Sequence, residues 1–330
     1  MSGVSVTEGF STQGAIPVSV AVIIPCYNEE VTIGKVVADF RQALPHATIF
    51  AYDNNSTDRT KELAASAGAV VRDEFRQGKG NVVRRMFADI DADIYVLVDG
   101  DDTYDAASAP MLIDRLASEG LDMVNGRRLG GSTEAYRRGH RFGNVMLTSL
   151  VQFVFGREFE DMLSGYRVFS RRFVKSFPAL ATGFEIETEL TVHALELRMP
   201  IREIGTPYKE RPEGSVSKLR TFSDGFNILS TILLLVRDER PLQFFSIISL
   251  LLILLTVGIT IPLFVTYMQT GLVPRLPTAV LATGTSTLAA LSFFCGLILN
   301  TVTLGRREAK RMQYLSIPGG PIKTDGQKKQ

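Results

Sequence analysis

VSVAVIIPCYNEE, Val18 to Glu30, is the stretch that decides the fold: an apolar, valine- and isoleucine-rich run breaks abruptly into a polar cluster. Val18 to Ile24 is too short for a self-sufficient helix and reads as a strand, with Pro25 to Glu30 at its carboxyl end. The same grammar recurs downstream. Thr48 to Tyr52 leads into Asp53, Asn54, Asn55, Ser56, Thr57 and Asp58; Ile94 to Val98 leads into Asp99, Gly100, Asp101 and Asp102; Ala69 to Arg72 and Leu121 to Asn125 read as further strands. Helical stretches lie between them, and this βαβα rhythm, continuing to about residue 206, predicts an α/β domain with a mainly parallel sheet covered on both faces. Ligands of such sheets bind beyond the carboxyl ends of the strands.

Three acidic or amide clusters therefore converge on one edge. Asn28, Ser56 and Thr57 have ordinary work as helix caps, and Asp101 or Asp102 as turn formers. For Asp99-Gly100-Asp101 a site is the better reading, because two carboxylates one residue apart at a strand end can reach one divalent cation, and without a counter-ion their like charges are costly. Mg²⁺ or Mn²⁺ on such oxygens commonly bridges to phosphates, which points to a nucleotide diphosphate substrate. No G-x-G-x-x-G follows the first strand, and Gly78-Lys79-Gly80 is too short for a P-loop, which weakens a dinucleotide oxidoreductase or P-loop NTPase reading.

The second half of the chain is a different material. Of 36 basic and 35 acidic residues, only Arg275 falls between Leu242 and Leu304. Leu242 to Tyr267 spans about 39 Å as a helix, enough for a hydrocarbon core of about 30 Å. Thr278 to Leu304 is a second apolar segment rich in small residues, which permit close helix association, including a homo-oligomer. Gly271, Pro274, Arg275 and Pro277 mark the turn between them. Arg237, Arg240, Arg306, Arg307, Lys310 and Arg311 flank the pair, so the positive-inside rule places both flanks, and the N-terminal domain, on the cytoplasmic side of an inner or plasma membrane. Phe222, Phe226, Leu229, Leu233 and Val236 recur at helical spacing, as in an amphipathic helix lying on a membrane surface or packing on the soluble domain. The expected organisation is an N-terminal segment 1–17 with no cleavable signal peptide, a catalytic domain 18–220, a juxtamembrane helix 221–240, two spans within 241–305, and a basic tail 306–330. The net charge of +1 argues against a nucleic-acid binder, and the two distant cysteines, Cys26 and Cys295, against a disulfide framework.

VIIPCYNEE, YDNNSTDRT, GKG, VLVDGDD, EDMLSGYRVFSRR and the late YKERPEGSVSK, in that order, resemble family 2 glycosyltransferases of the GT-A fold. With the C-terminal hairpin they are most similar to polyprenyl-phosphate glycosyltransferases of the dolichol-phosphate-mannose-synthase type. The resemblance implies an inverting, metal-dependent hexosyltransferase that moves a sugar from a nucleotide diphosphate sugar, UDP-glucose-like or GDP-mannose-like, to an undecaprenyl or dolichyl phosphate for cell-envelope glycan synthesis. It also implies roles for particular residues. Pro25, Tyr27, Asn28 and Glu29 line the nucleotide pocket with Lys79 and Gly100, and Asp53 contacts the base. Asp99 and Asp101 hold the diphosphate through Mg²⁺ or Mn²⁺, with Thr103 standing where the family has a glutamine. Arg211 and Ser217 close on the donor, with Lys218 nearby. Asp161 matches the catalytic carboxylate, its motif completed by Ser164, Gly165 and Arg167. Arg128 binds the lipid phosphate, with Arg138, His140 and Arg141, next to Arg137, supplying further contacts.

Three other readings share features with this one, among them a nucleotidyltransferase with paired acids and a metal, whose Gly-rich first loop is replaced here by PCYNEE. A processive polysaccharide synthase uses similar donor motifs, but its relatives carry a Gln-x-x-Arg-Trp motif, and this chain has no tryptophan. An inactive membrane scaffold could keep the fold, yet would have no need of Asp99, Asp101, Asp161 and Arg211 together.

Overall fold

The computed structural model describes residues 18–130, 160–179, 181–183, 185–212, 230, 233–234 and 236–319. Seven strands form one sheet: β1 (Val20–Cys26), β2 (Thr48–Asp53), β3 (Val70–Asp73), β4 (Ile94–Leu97), β5 (Met123–Leu129), β6 (Arg167–Ser170) and β7 (Ile201–Pro207), in the order β3-β2-β1-β4-β6-β5-β7. Only β6 runs antiparallel to its neighbours, β4 and β5. Connecting helices are α1 (Ile33–Ala43), α2 (Thr60–Ser66), α3 (Lys79–Asp89), α4 (Ala109–Ser118), α5 (Arg171–Ser176) and α6 (Ile186–Leu197).

Period-two alternation along β1 explains the layers. Ala21 and Ile23 join a core with Met86, Phe87, Phe169, Phe173 and Leu190, from α3, β6, α5 and α6, whereas Val22 and Ile24 join Val37, Phe40, Ala64 and Leu112 from α1, α2 and α4. Both faces are thus buried, as the continuous apolar run requires. The parallel register sets Cys26 opposite Asp53 and Ile23 opposite Leu97, so the polar clusters after β1, β2 and β4 emerge side by side.

The five expected strands are present. β6 and β7 are additional, and each hid for a physical reason: β6 has four residues and begins with an arginine, while β7 (IREIGTP) interleaves charge and glycine. Arg167 is nevertheless completely buried. Its guanidinium donates to the carbonyls of Ser164 at 3.0 Å and Met162 at 2.5 Å and to Thr191 Oγ1 at 2.9 Å, and burial lowers its pKa to about 10.

Two helices, α7 (Pro241–Thr270) and α8 (Leu276–Ser316), are long and apolar enough to cross a membrane. Gly271, left-handed at φ 69°, caps α7 and opens the expected turn. The helices pack along one seam of α8: its buried residues Ala282, Ala289, Gly296 and Thr303 recur every seven positions. Ser249 Oγ donates to the Ala289 carbonyl at 2.8 Å, and Phe245 crosses over Gly296, so small residues serve contact within the hairpin. The second apolar helix does not stop near Leu304; it continues to Ser316 through the first part of the segment expected as a tail.

Candidate active site

A pocket of about 300 Å³ opens at the carboxyl ends of β1 and β4 and is lined by Pro25, Tyr27, Glu29, Lys79, Asp99, Gly100, Asp101 and Arg211. These eight residues, expected on the donor side and dispersed over almost 190 positions of chain, line one pocket. Asn54 closes one wall: its amide donates to the carbonyls of Glu74 at 2.7 Å and Arg76 at 2.8 Å, and its oxygen accepts from Gly78 N–H at 2.7 Å.

Lys79 is the buried cation of the pocket. Gly78, at φ 126°, turns the chain into α3, and side chains at Gly78 or Gly80 would strike the backbone of residues 181 and 182. The close approach this allows lets Lys79 Nζ donate to Asp99 Oδ1 at 2.5 Å and to Glu187 Oε1 at 2.6 Å. Burial opposes the lysine's charge, but Asp99 and Glu187 outweigh it and raise its pKa. Glu187, in the first turn of α6, had no recognisable signal in sequence; its role depends on a lysine 108 positions away.

Asp101 is 3% exposed, and its Oδ2 faces Arg211 Nη2 at 2.5 Å. Burial, and then the charge of Asp99, hold its carboxyl above the usual carboxylate range, with Arg211 and Thr103 offsetting part of the effect. Thr103, expected among the metal ligands, stands beside Asp101. Its hydroxyl donates to Asp101 Oδ1 at 2.6 Å and its carbonyl accepts from Lys209 N–H at 2.8 Å, so it orients the carboxylate and ties it to the β7 end. Asp99 and Asp101 are hard oxygen donors, and a dication held by two carboxylates fills its shell with substrate phosphates and water. The donor set fits Mg²⁺ or Mn²⁺ in this shared mode. Among the described residues no group of three or more His, Cys, Asp or Glu forms a closed protein cage.

Asn28 and Asp53 lie just behind the pocket wall. Asn28, at φ 51°, accepts from Thr57 N–H through its side chain at 2.8 Å and donates its own N–H to Ser56 Oγ at 2.9 Å, so it joins the β1 and β2 loops. Asp53 Oδ2 accepts from Ser56 N–H at 3.0 Å; its buried Oδ1 has no hydrogen-bond partner among the described residues. A buried acceptor of this kind suits a donor arriving with a ligand.

On the far side, Arg128 at the end of β5 grips Asp161 with a two-pronged fork, Nε to Oδ2 and Nη2 to Oδ1, both at 2.7 Å. Its guanidinium also lies 5.5 Å from the Tyr208 ring centre. The Asp161 backbone is fixed in turn: its N–H donates to Glu203 Oε1 at 3.0 Å and its carbonyl accepts from Asn125 Nδ2 at 2.8 Å. Asn125 and Glu203 were not singled out in sequence. Gly165 passes so close to Asp99 that a β-carbon would overlap the carboxylate, linking the EDMLSGYR loop to the pocket. Ser164, expected at the acceptor phosphate, is fully buried, and its hydroxyl donates to the Gly126 carbonyl at 2.5 Å, which shapes the loop. Arg137, Arg138, His140, Arg141, Ser217 and Lys218 lie outside the described residues, as does most of the segment read as a juxtamembrane helix.

Residues 21–177 match the family model described as Glycosyl transferase family 2. The chain is 36% identical over 232 residues to glycosyltransferase AglJ of Haloferax volcanii, covering 70% of this chain and 76% of the relative. It is 31% identical over 221 residues to a dolichyl-phosphate hexose transferase of the same organism, covering 67% of this chain and 95% of the relative. In fold it is similar to glucosyl-3-phosphoglycerate synthase from Mycobacterium tuberculosis, solved in complex with Mn²⁺, UDP-glucose and phosphoglyceric acid, with a TM-score of 0.55 and 22% identity over 66% of this chain and 79% of that one.

Proposed function

Since this chain belongs to glycosyl transferase family 2 and has the GT-A fold, we propose that it transfers a hexose from a nucleotide diphosphate sugar to a polyprenyl phosphate at the cytoplasmic face of a membrane. One observation carries the reading: the loop that brings Gly165 against Asp99 of the pocket also carries Asp161, paired with Arg128, in a chain that also has two membrane-length helices. The dolichyl-phosphate relative supports the choice of acceptor.

In this reading Pro25, Tyr27 and Glu29 cradle the nucleoside, and the free Oδ1 of Asp53 accepts from a base N–H. A bound Mg²⁺ or Mn²⁺, held by Asp99 and Asp101, would offset the charge growing on the diphosphate leaving group. Arg211 and Lys79, already beside these carboxylates, add positive charge where the diphosphate lies. Arg128 takes the lipid phosphate by its fork geometry, in competition with Asp161. The acceptor monophosphate, with a second pKa near ~6 by analogy with phosphoamino acids, is largely ionised at neutral pH. Asp161 therefore orients the acceptor and accepts any residual proton. A phosphate oxygen attacks the anomeric carbon, the bond to the diphosphate breaks, and the nucleoside diphosphate leaves with the electron pair; a single in-line displacement inverts the configuration. Residues 18–220 are assigned to the catalytic domain.

Purified protein, Mn²⁺, a panel of nucleotide sugars and polyprenyl phosphate in lipid nanodiscs should give a lipid-linked monosaccharide with at least one donor. Absence of lipid product across the panel would reject the acceptor assignment.

A further inference from the structure

The basic end of α8 is bound along the catalytic domain. A helix of 41 residues is about 61 Å long, and about 30 Å suffices for the hydrocarbon, so the last turns project beyond it. A projecting end of twelve residues is marginal as an isolated helix. Here it is fastened at each turn. Thr303 Oγ1 donates to the Asp238 carbonyl at 3.0 Å, and Arg307 Nη2 to the Glu239 carbonyl at 2.6 Å. Lys310 Nζ pairs with Glu196 Oε2, on the last turn of α6, at 2.7 Å, and Tyr314 Oη donates to Asp122 Oδ2 at 2.5 Å. Arg172 lies over the Tyr314 ring at 4.3 Å, and the ring packs against the core formed by β6, α5 and α6.

Spacing makes these contacts one device. The seam Ala282, Ala289, Gly296, Thr303 packs on α7 and on the residues leading into it; the next position in the same seven-residue repeat is Lys310, followed one turn later by Tyr314. A single stripe thus meets the partner membrane helix first and the catalytic domain second. Rotation of either body about the α8 axis would break both sets of contacts.

We propose that α8 is a rigid strut joining the hairpin and the catalytic domain into one body, with Tyr314, clasped by Asp122 and Arg172, as a positioning residue that fixes the height and tilt of the active site over the membrane. Its effect on turnover rests on the lipid acceptor proposed above: a head group confined to the interface meets the donor only if the pocket is held at the right level.

The test uses the full chain in nanodiscs. Spin labels on the native, exposed Cys295 and on Glu62→Cys in α2 report the distance between membrane helix and catalytic domain, Cys26 being buried. The native chain should give one narrow distance distribution and Tyr314→Ala a broad one, with Tyr314→Phe, which keeps the ring over Arg172, in between. For transfer, kcat/KM toward membrane-embedded polyprenyl phosphate should fall about tenfold in Tyr314→Ala, while nucleoside diphosphate affinity and hydrolysis of the nucleotide sugar by water stay unchanged. A native distribution as broad as the variant's overturns the strut. Unchanged lipid transfer in a variant with a broadened distribution, or a parallel loss of nucleotide affinity, overturns the positioning role. If the native chain makes no lipid product, the acceptor reading fails, and the distance distributions alone decide the strut.

Discussion

The two ends of the sheet use buried aspartates in opposite ways. At the amino end, Asp122, just before β5, is 1% exposed and both its oxygens are occupied: Oδ1 accepts from Ser170 Oγ at 2.7 Å and Arg172 Nε at 3.1 Å, and Oδ2 from Arg172 Nη2 at 2.9 Å and Tyr314 Oη at 2.5 Å. At the carboxyl end, Asp53 keeps an oxygen without a partner among the described residues, and Asp99 and Asp101 repel each other across a pocket, restrained by Lys79 and Arg211. A carboxylate whose lone pairs are all taken holds architecture together. One that is crowded by like charge and open to a pocket is built to exchange its partner for a ligand.

Substitution should separate the two ends. The largest effect belongs to Asp101→Asn, which should lower sugar transfer by about three orders of magnitude, or ~4 kcal/mol of barrier. The same change should raise the thermal midpoint of the ligand-free protein at neutral pH. The sign follows from linkage: a carboxyl whose pKa is raised by folding binds its proton more tightly in the native state, so stability falls as pH rises from the unfolded value of 3.8 to the raised native value and stays lower above it. Parallel loss of stability and activity would contradict this division. Asp122→Ala should do the reverse, costing about 3 kcal/mol of stability by stranding Arg172 and the Tyr314 hydroxyl, with nucleoside diphosphate affinity retained in the folded fraction. Isothermal binding titration beside chemical denaturation checks both halves.

The smallest effect concerns α6, which carries Glu187 at the pocket and Glu196 at the strut. Between them His193 is buried against Phe173 and Phe177, and burial, assisted by Lys310, lowers its pKa to about 3. Its imidazole stays neutral in the fold but takes a proton in the unfolded chain below 6.5, so stability is lost as pH falls from 6.5 toward 3, with at most the slope of a single proton. His193→Gln should flatten that part of the stability profile relative to the native chain; an identical slope in both would remove His193 from the acid response.

The pocket at the carboxyl ends of β1 and β4 was legible because each of its parts is local: an apolar run, then Pro25 to Glu29 or Asp99 to Asp101 at its end. What escaped was non-local. Arg167 looks like a surface residue until the carbonyls of Met162 and Ser164 fold over it, and Glu187 is one of several acids in a charged helix until Lys79 reaches it. Arg306, Arg307 and Lys310 read as a cytoplasmic basic flank, since Glu196 and Glu239, their partners, are remote in the chain. At Ser164 and Thr103 the motif position suggests ligand contact, while each hydroxyl donates within the protein, to the Gly126 carbonyl and to Asp101 Oδ1.

The central claim, sugar transfer onto a membrane phosphate, is tested most directly by product stoichiometry. With the active nucleotide sugar, Mn²⁺ and polyprenyl phosphate in nanodiscs, mass spectrometry should find one lipid-linked hexose for each nucleoside diphosphate released, and neither product in Asp101→Asn. Nucleoside diphosphate accompanied only by free sugar, with the lipid unmodified, would contradict the account.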